Sequence, residues 1–313
     1  MRFISFIIGN KRGVIMQYKM SIDEKEFLKN YNIEDFDRPS IATDIVVFGI
    51  AKKEIDDTRQ LPLQKLQVLL INRASYPYKG YWALAGGFCR KNEEVYETAR
   101  RELYEETNIK DAYLNVCGIY GDAGRDPRGW IVSNAFIALV DSTKCYLKAD
   151  TDAWDAKWFD FDMKKEIILQ EYEEDDTFTM KTRYDLCFQH EEIILTSQIA
   201  ENKKFKNYHE TVEYEITGNQ GVAFDHAKII LDAFKNLQMH AEHDEKIIFD
   251  LMPERFTLTE LQNVFEIILQ KELIKSNFRR KIAEFVTQTE ESEEGRRYRK
   301  AKHFKRNVKR FYE

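Results

Sequence analysis

Glu102, Glu105 and Glu106 stand at i, i+3 and i+4, a short distance after the pair Gly86-Gly87. That spacing sets all three carboxylates on one side of a helix. Like charges so placed repel by roughly 0.2–0.5 kcal/mol per pair on an exposed helix, so a positive counterpart is expected. Hard divalent cations, Mg2+ or Mn2+, take oxygen ligands and bind beside substrate phosphates. A cation held there bridges phosphate oxygens and activates water for attack on phosphorus. Glycine lets backbone come close to such a ligand. The bland alternative is a solvated acidic face, the commoner fate of a charge run.

The neighbouring elements must aim these groups. Val95, Ala99 and Leu103 recur every four residues and predict a helix over 94–107 whose apolar stripe docks on a sheet. "SIATDIVVFGI" (40–50) and "LQVLLIN" (66–72) read as strands around a loop at 52–60, and "YWALAGGF" runs from strand into turn. "LNVCGIY", "WIVSNAFIALV" and "AKWFDF" read as further strands. "KTRYDLCFQHEEIILTSQI" and "TVEYEITG" predict an antiparallel pair with a polar loop near 201–209. "FDHAKIILDAFKNL" predicts a helix with Asp225 at its N-cap.

Beyond that helix come three short helical patterns, over 243–252, 257–270 and 276–285, then the charged turn "TEESEEGRR". Three helices and a hairpin describe a winged helix. Thr257 and Glu260 form a capping box, and Leu261, Phe265, Ile268 and Leu269 supply the apolar face. The fold class is α+β, divided into an N-terminal extension (1–19), a first domain (20–240) and the winged helix with a basic tail (241–313).

A chain of 313 residues suits about two domains. With 43% hydrophobic and 33% charged residues it has an ordinary globular composition. Cys89, Cys117, Cys145 and Cys187 make no CxxC pair, which suits reduced thiols in the cytoplasm. No apolar run approaches the ~18 residues of a membrane span, so no membrane partner is expected. The net charge of −6 is uneven: from Lys275 onward 13 basic residues face 6 acidic ones, leaving 35 against 48 before it. An acidic body with a basic tail suggests one cationic or metal-bridged partner and one anionic partner.

The full spacing, Gly87, five residues, Glu93, seven residues, then Arg101-Glu102-Leu103-x-Glu105-Glu106-x-Asn108-Ile109, resembles the Nudix box. Every fixed position matches except Asn108, where that family has glycine; Asn is the next-best occupant of a left-handed helix end. Ala85 stands where relatives often have proline. The resemblance implies an α/β/α sandwich and Mg2+- or Mn2+-dependent cleavage of a nucleoside diphosphate linked to another moiety. Carried over, Glu102, Glu105 and Glu106 are metal ligands, Glu102 also a candidate water activator. Arg101 orients a glutamate and Glu93 braces the loop.

"GDAGRDPRGWIVSNAFIALV" (121–140), "VAFDHAKII" (222–230) and "LMPERFTLTELQNVFEIILQKELIKSNFRRKI" (251–282) are similar to the Nudix-related transcriptional regulators of NAD and sugar metabolism. Those join a Nudix-like sensor of ADP-ribose or a related ligand to a DNA-binding winged helix. On this likeness Phe278, Ile282 and Phe285 pack inward, leaving Asn277, Arg279, Arg280 and Lys281 for double-stranded DNA. Arg296 and Arg297 serve the wing. Arg125, Asp126 and Arg128, with Gly86 and Gly87, are expected around a nucleotide-sugar ligand such as ADP-ribose; structural salt bridges are the competing account. His226 reads as a structural helix-start histidine, and Trp82, Trp154 and Trp158 as core aromatics or adenine platforms. Three accounts follow: a bifunctional hydrolase and DNA-binding regulator, a catalytically silent sensor-repressor, or a plain hydrolase with a dimer-forming tail. Regulators of this type usually act as homodimers on palindromic operators.

Overall fold

The computed structural model describes residues 3–8, 11–16, 20–53, 63–110, 112–142, 145, 155–173, 177–292 and 302–311. The chain divides into two compact units, Met1–Pro39 and Ser40–Glu313. The first holds an antiparallel hairpin, β1 (Phe3–Ile8) and β2 (Lys11–Met16), and helix α1 (Ile22–Asn30). Ser21 and Glu24 close a reciprocal capping box at the start of α1, which buries none of its residues.

The second unit is built on a large sheet. Its strands are β3 (Ser40–Lys53), β4 (Leu63–Asn72), β5 (Trp82–Ala83), β6 (Ala85–Phe88), then, after helix α2 (Val95–Thr107), β7 (Tyr113–Tyr120) and β8 (Ile131–Val140). Four long strands follow: β9 (Ala156–Tyr172), β10 (Phe178–His190), β11 (Ile193–Lys206) and β12 (His209–Gln220). The order is β12-β11-β10-β9-β4-β3-β8-β7, with β5 on β4 and β6 on β3. β3 and β8 run parallel.

Alternation along β3 makes the layers. Ile45 and Val47 face α2 and pack with Ala99 and Leu103. Val46 and Phe48 face the other way, onto Ile230 and Phe234 of helix α3 (His226–His243). The result is the expected sandwich. α2 begins after Glu94 and ends at Asn108, whose φ of 63° is left-handed and whose N–H bonds the Tyr104 carbonyl.

The polar loop expected near 201–209 is instead the end of β11 and a tight turn at Asn207 and Tyr208, both at positive φ. "KTRYDLCFQHEEIILTSQI" is itself a hairpin turning at Glu191. The polarity misleads because Glu201 points inward: it is 1% exposed and accepts from Tyr184, Tyr214 and Lys235. A charged residue sealed by partners is compatible with a core strand. β9 also extends far past "AKWFDF".

The winged helix follows. Its first expected helix is a 3-10 segment, Glu245–Leu251, burying Ile247, Ile248, Phe249 and Leu251 together. The remaining elements are β13 (Phe256–Thr257), α4 (Leu258–Leu269), α5 (Lys275–Ile282), β14 (Val286–Ser292), β15 (Lys302–Arg306) and α6 (Val308–Phe311). The strands form a sheet of order β13-β15-β14. The Thr257/Glu260 capping box is present, and Phe278 and Ile282 are buried.

Candidate functional site

The glycine pair lies on β6, paired to Thr43 and Asp44 of β3. A Cβ on Gly86 would strike the Thr43 carbonyl oxygen, and one on Gly87 the carboxylate of Glu102. A side chain at Gly86 would strain its pairing with β3, and one at Gly87 would displace the Glu102 carboxylate. With glycine in place, the Gly86 N–H donates to Glu106 Oε2 at 2.9 Å.

Arg101 gathers the other carboxylates. Its Nε donates to Glu93 at 2.6 Å, and its Nη1 donates to Glu102 at 2.5 Å and to Glu105 at 3.2 Å. Nη2 reaches Glu93 at 2.9 Å and the Phe88 carbonyl at 3.3 Å. Glu93 also accepts from the Thr98 hydroxyl and the Arg90 N–H. The Arg101 hydrogen bonds foremost, then those of Arg90 and Thr98, hold the Glu93 carboxyl down to about 2. One arginine thus ties the loop before α2 to two of the three glutamates.

Glu106 is different. Burial raises its pKa to about 8; the Gly86 N–H opposes this, and the carboxylates of Glu102 and Asp44 add to it. Among the described residues no three His, Cys, Asp or Glu side chains are gathered as a metal cage. The donor set nonetheless fits a hard divalent cation. Three carboxylates share one helix face, and the buried one, Glu106, accepts the Gly86 backbone N–H.

A cavity of about 230 Å³ opens beside Glu106, walled by Asp44, Arg73, Gly86, Arg128, Phe224 and His226. Arg125 lies deeper than expected: its side chain is 6% exposed, and it donates to Asp225 at 2.9 and 2.8 Å and to Asp44 at 3.3 Å. Asp126 is buried and gripped by Arg128, whose Nη2 donates to it at 2.7 Å. Arg128 itself remains 43% exposed and lies 5.0 Å from the Phe88 ring centroid. Asp225 holds the N-cap position of α3, but its side chain makes no capping bond.

His226 is buried, and its Nδ1 accepts the Leu84 N–H at 2.9 Å while Nε2 stands 3.5 Å from Asp44. Burial lowers its pKa despite the neighbouring aspartates. Trp82 packs edge-on to Phe159 in the core, and Trp158 crowds Gly49. Trp154 lies outside the described residues.

Arg73 and Phe224 escape the sequence reading. Arg73 sits over the Phe224 ring at 4.8 Å, and Arg128 flanks it at 5.6 Å. Burial, then the nearby Arg128, lower the Arg73 pKa. A cation directly after the apolar run "LLIN" is the signal that could have singled out Arg73; Phe224 carries none.

On the winged helix, Asn277, Arg279, Arg280 and Lys281 are all exposed on α5. They are not equally free. Arg280 reaches Asn277 at 3.3 Å, and Lys281 pairs with Glu245 at 2.5 Å. Arg296 and Arg297 lie outside the described residues.

Comparison with known proteins follows the same division. The Nudix domain model matches residues 59–179, and the NrtR DNA-binding winged helix domain model matches residues 248–305. The chain is 30% identical over 273 residues to an ADPR responsive transcriptional repressor NtrR of Acinetobacter baylyi, covering 86% of this chain and 83% of that one. It is 35% identical over 144 residues to an ADP-ribose pyrophosphatase of Methanocaldococcus jannaschii, covering 46% and 74%. In fold it is similar to a MutT/nudix family protein from Enterococcus faecalis, with a TM-score of 0.60, 23% identity and coverage of 93% and 100%. Shewanella oneidensis NrtR complexed with a 27mer DNA gives a TM-score of 0.55 at 23% identity, covering 85% and 93%. With a Nudix box on α2, a winged helix after α3 and this extent of likeness, the chain belongs to the NrtR family of Nudix-related transcriptional regulators.

Proposed function

We propose that this chain is an ADP-ribose-responsive DNA-binding repressor whose Nudix domain also hydrolyses its ligand to AMP and ribose 5-phosphate. The regulatory half rests on the near full-length likeness to the Acinetobacter repressor. The hydrolytic half rests on one observation: Glu93, Arg101, Glu102, Glu105 and Glu106 are all retained and brought together beside the cavity. In this reading Glu102, Glu105 and Glu106 hold Mg2+ or Mn2+, which supplies positive charge to pyrophosphate oxygens and acidifies a water.

The chain's own residues do the rest. Arg128, half-exposed at the cavity, and Arg73 offer guanidinium groups to the pyrophosphate. Phe224, with Arg73 at 4.8 Å and Arg128 at 5.6 Å from its ring, holds the two guanidinium groups at the cavity. Arg101 keeps the glutamates aligned, and Glu93 keeps Arg101 in place. Arg279 and Arg280 on α5 meet DNA, with Asn277 and Lys281 beside them and Arg296 and Arg297 on the wing. A two-fold dimer on a palindromic operator completes the reading.

The test is AMP formation from ADP-ribose with Mg2+ or Mn2+, comparing wild type with Glu105→Gln/Glu106→Gln. Release by wild type alone supports the hydrolytic half. Binding of ADP-ribose without turnover by either protein removes the hydrolase and leaves the sensor. Equal turnover by both sinks the assignment of Glu105 and Glu106 to the metal.

A further inference from the structure

A structural role at the start of α3 accounts for only one of the two ring nitrogens of His226. The Leu84 N–H can only donate, so Nδ1 is the acceptor in their 2.9 Å bond. Burial lowers the pKa of the ring, and in the neutral ring the proton then sits on Nε2. That N–H faces Asp44 Oδ1 at 3.5 Å, beyond the roughly 2.7–3.2 Å of an ordinary N–H···O bond.

Asp44 is divided in the same way. Its Oδ2 accepts from the Ser133 hydroxyl at 2.6 Å and from Arg125 at 3.3 Å. Pairing with Gly86 fixes its backbone beside the glycine pair. Oδ1 is left facing His226. The His226 and Asp44 side chains are 6% and 13% exposed, and both line the cavity. A donor and an acceptor thus stand side by side in a nearly buried wall, each anchored from behind and too far apart to satisfy the other. Buried polar groups of this kind call for a partner.

The pair defines the chemistry of that partner. Phosphate oxygens only accept, and beside Asp44 they meet a like charge. A hydroxyl both accepts and donates. Two on adjacent carbons offer an oxygen to Nε2–H and an O–H to Oδ1, and acidic side chains take ribose hydroxyls in this way in dinucleotide sites. At about 230 Å³ the cavity is smaller than the roughly 300–1,000 Å³ that encloses a drug-sized ligand, so one end of ADP-ribose enters it. Ring faces suited to adenine lie outside: Tyr78 packs on Phe224 at 4.6 Å and remains exposed, as does Tyr76. The end that enters is the sugar without a base.

We infer that His226 and Asp44 read the vicinal hydroxyls of the terminal ribose, Nε2–H donating to one and Oδ1 accepting from its neighbour. The inference rests on the cavity being the ADP-ribose site, and it makes this pair the determinant of sugar specificity there.

Calorimetry on the full chain in EDTA, which halts hydrolysis, tests it with three ligands: ADP-ribose, an analogue with 2-deoxyribose as the terminal sugar, and one with 2'-deoxyadenosine. Wild type should prefer ADP-ribose to the terminal analogue by about tenfold or more, and should bind the adenosine analogue within about threefold of ADP-ribose. His226→Asn keeps an acceptor for the Leu84 N–H but loses the Nε2 donor. It should bind ADP-ribose and the terminal analogue within about threefold of each other, and the analogue as wild type does. His226→Gln extends an amide N–H to the Nε2 position and should restore the preference. Equal affinity of wild type for ADP-ribose and the terminal analogue overturns the inference, and so does a preference set by the adenosine hydroxyl. A preference surviving in His226→Asn, or an equal loss of all three ligands there, does the same. The wild-type comparison decides even where His226→Asn fails to fold. No binding of ADP-ribose by wild type overturns the ligand assignment itself, and this inference with it.

Discussion

Asp225 stands at the N-cap of α3 and yet gives its carboxylate to Arg125, accepting two hydrogen bonds of 2.9 and 2.8 Å. The helix start therefore lacks its own side-chain cap. In exchange, a guanidinium is fixed between Asp225 and Asp44 at the wall of the cavity. A cap is worth about 1 kcal/mol, and a charge-assisted bidentate contact between largely buried side chains is stronger.

Glu93 should show its brace in a pH profile. Its folded pKa of about 2 lies below the ordinary value of 4.5. A depressed carboxyl contributes stability that is full above the unfolded pKa and lost as pH falls through the folded one. The urea midpoint of wild type should exceed that of Glu93→Gln by a constant margin from pH 5 to 8. The margin should shrink below pH 4.5 and vanish toward pH 2. A margin independent of pH across that range would refute the ion-pair origin.

Gly87→Ala puts a methyl group against the Glu102 carboxylate. Overpacking of this kind costs about 1–3 kcal/mol. A lower urea midpoint is expected, together with a loss of ADP-ribose turnover of at least about tenfold as the carboxylate is driven from Arg101. Wild-type stability and turnover together would mean that the turn is looser than its geometry indicates.

Asn108 occupies a left-handed conformation at the end of α2. Asn108→Ala should lose about 1 kcal/mol, whereas Asn108→Gly should equal or slightly exceed wild type. Chemical unfolding measures both. The opposite ranking would show that the asparagine side chain matters more than its backbone.

Arg279→Ala/Arg280→Ala should weaken binding to duplex DNA by tenfold or more and reduce the salt dependence of binding by about two phosphate contacts. ADP-ribose binding should be unchanged. Lys281→Ala should have the smaller effect, since Lys281 is already paired with Glu245. Anisotropy titrations at several salt concentrations decide this, and a larger loss from Lys281→Ala would move the reading face.

Much of this architecture is legible in the residues because local and global requirements agree. The four-residue recurrence of Val95, Ala99 and Leu103 marks α2, and Thr257 with Glu260 marks α4 before any fold is known. The failures have physical causes. Glu201 looks like a loop residue because its partners lie on β10, β12 and α3, at separations that composition cannot see. The partner that buries Arg125 is equally hidden, because Asp225 is a hundred residues away. Phe224 gives no local signal at all: its place at the cavity depends on the turn preceding α3, where its φ is 51°.

The cavity wall is joined across a separation of 142 residues, from Leu84 to His226. Closing so long a loop is slow and is rewarded only once its ends are already supported. The site should accordingly be among the last features to form during folding, after β9 to β12 have paired. The Nudix match ends at residue 179, well short of that wall. A chain cut at that point would carry the whole glutamate helix and still lack one side of the cavity beside it.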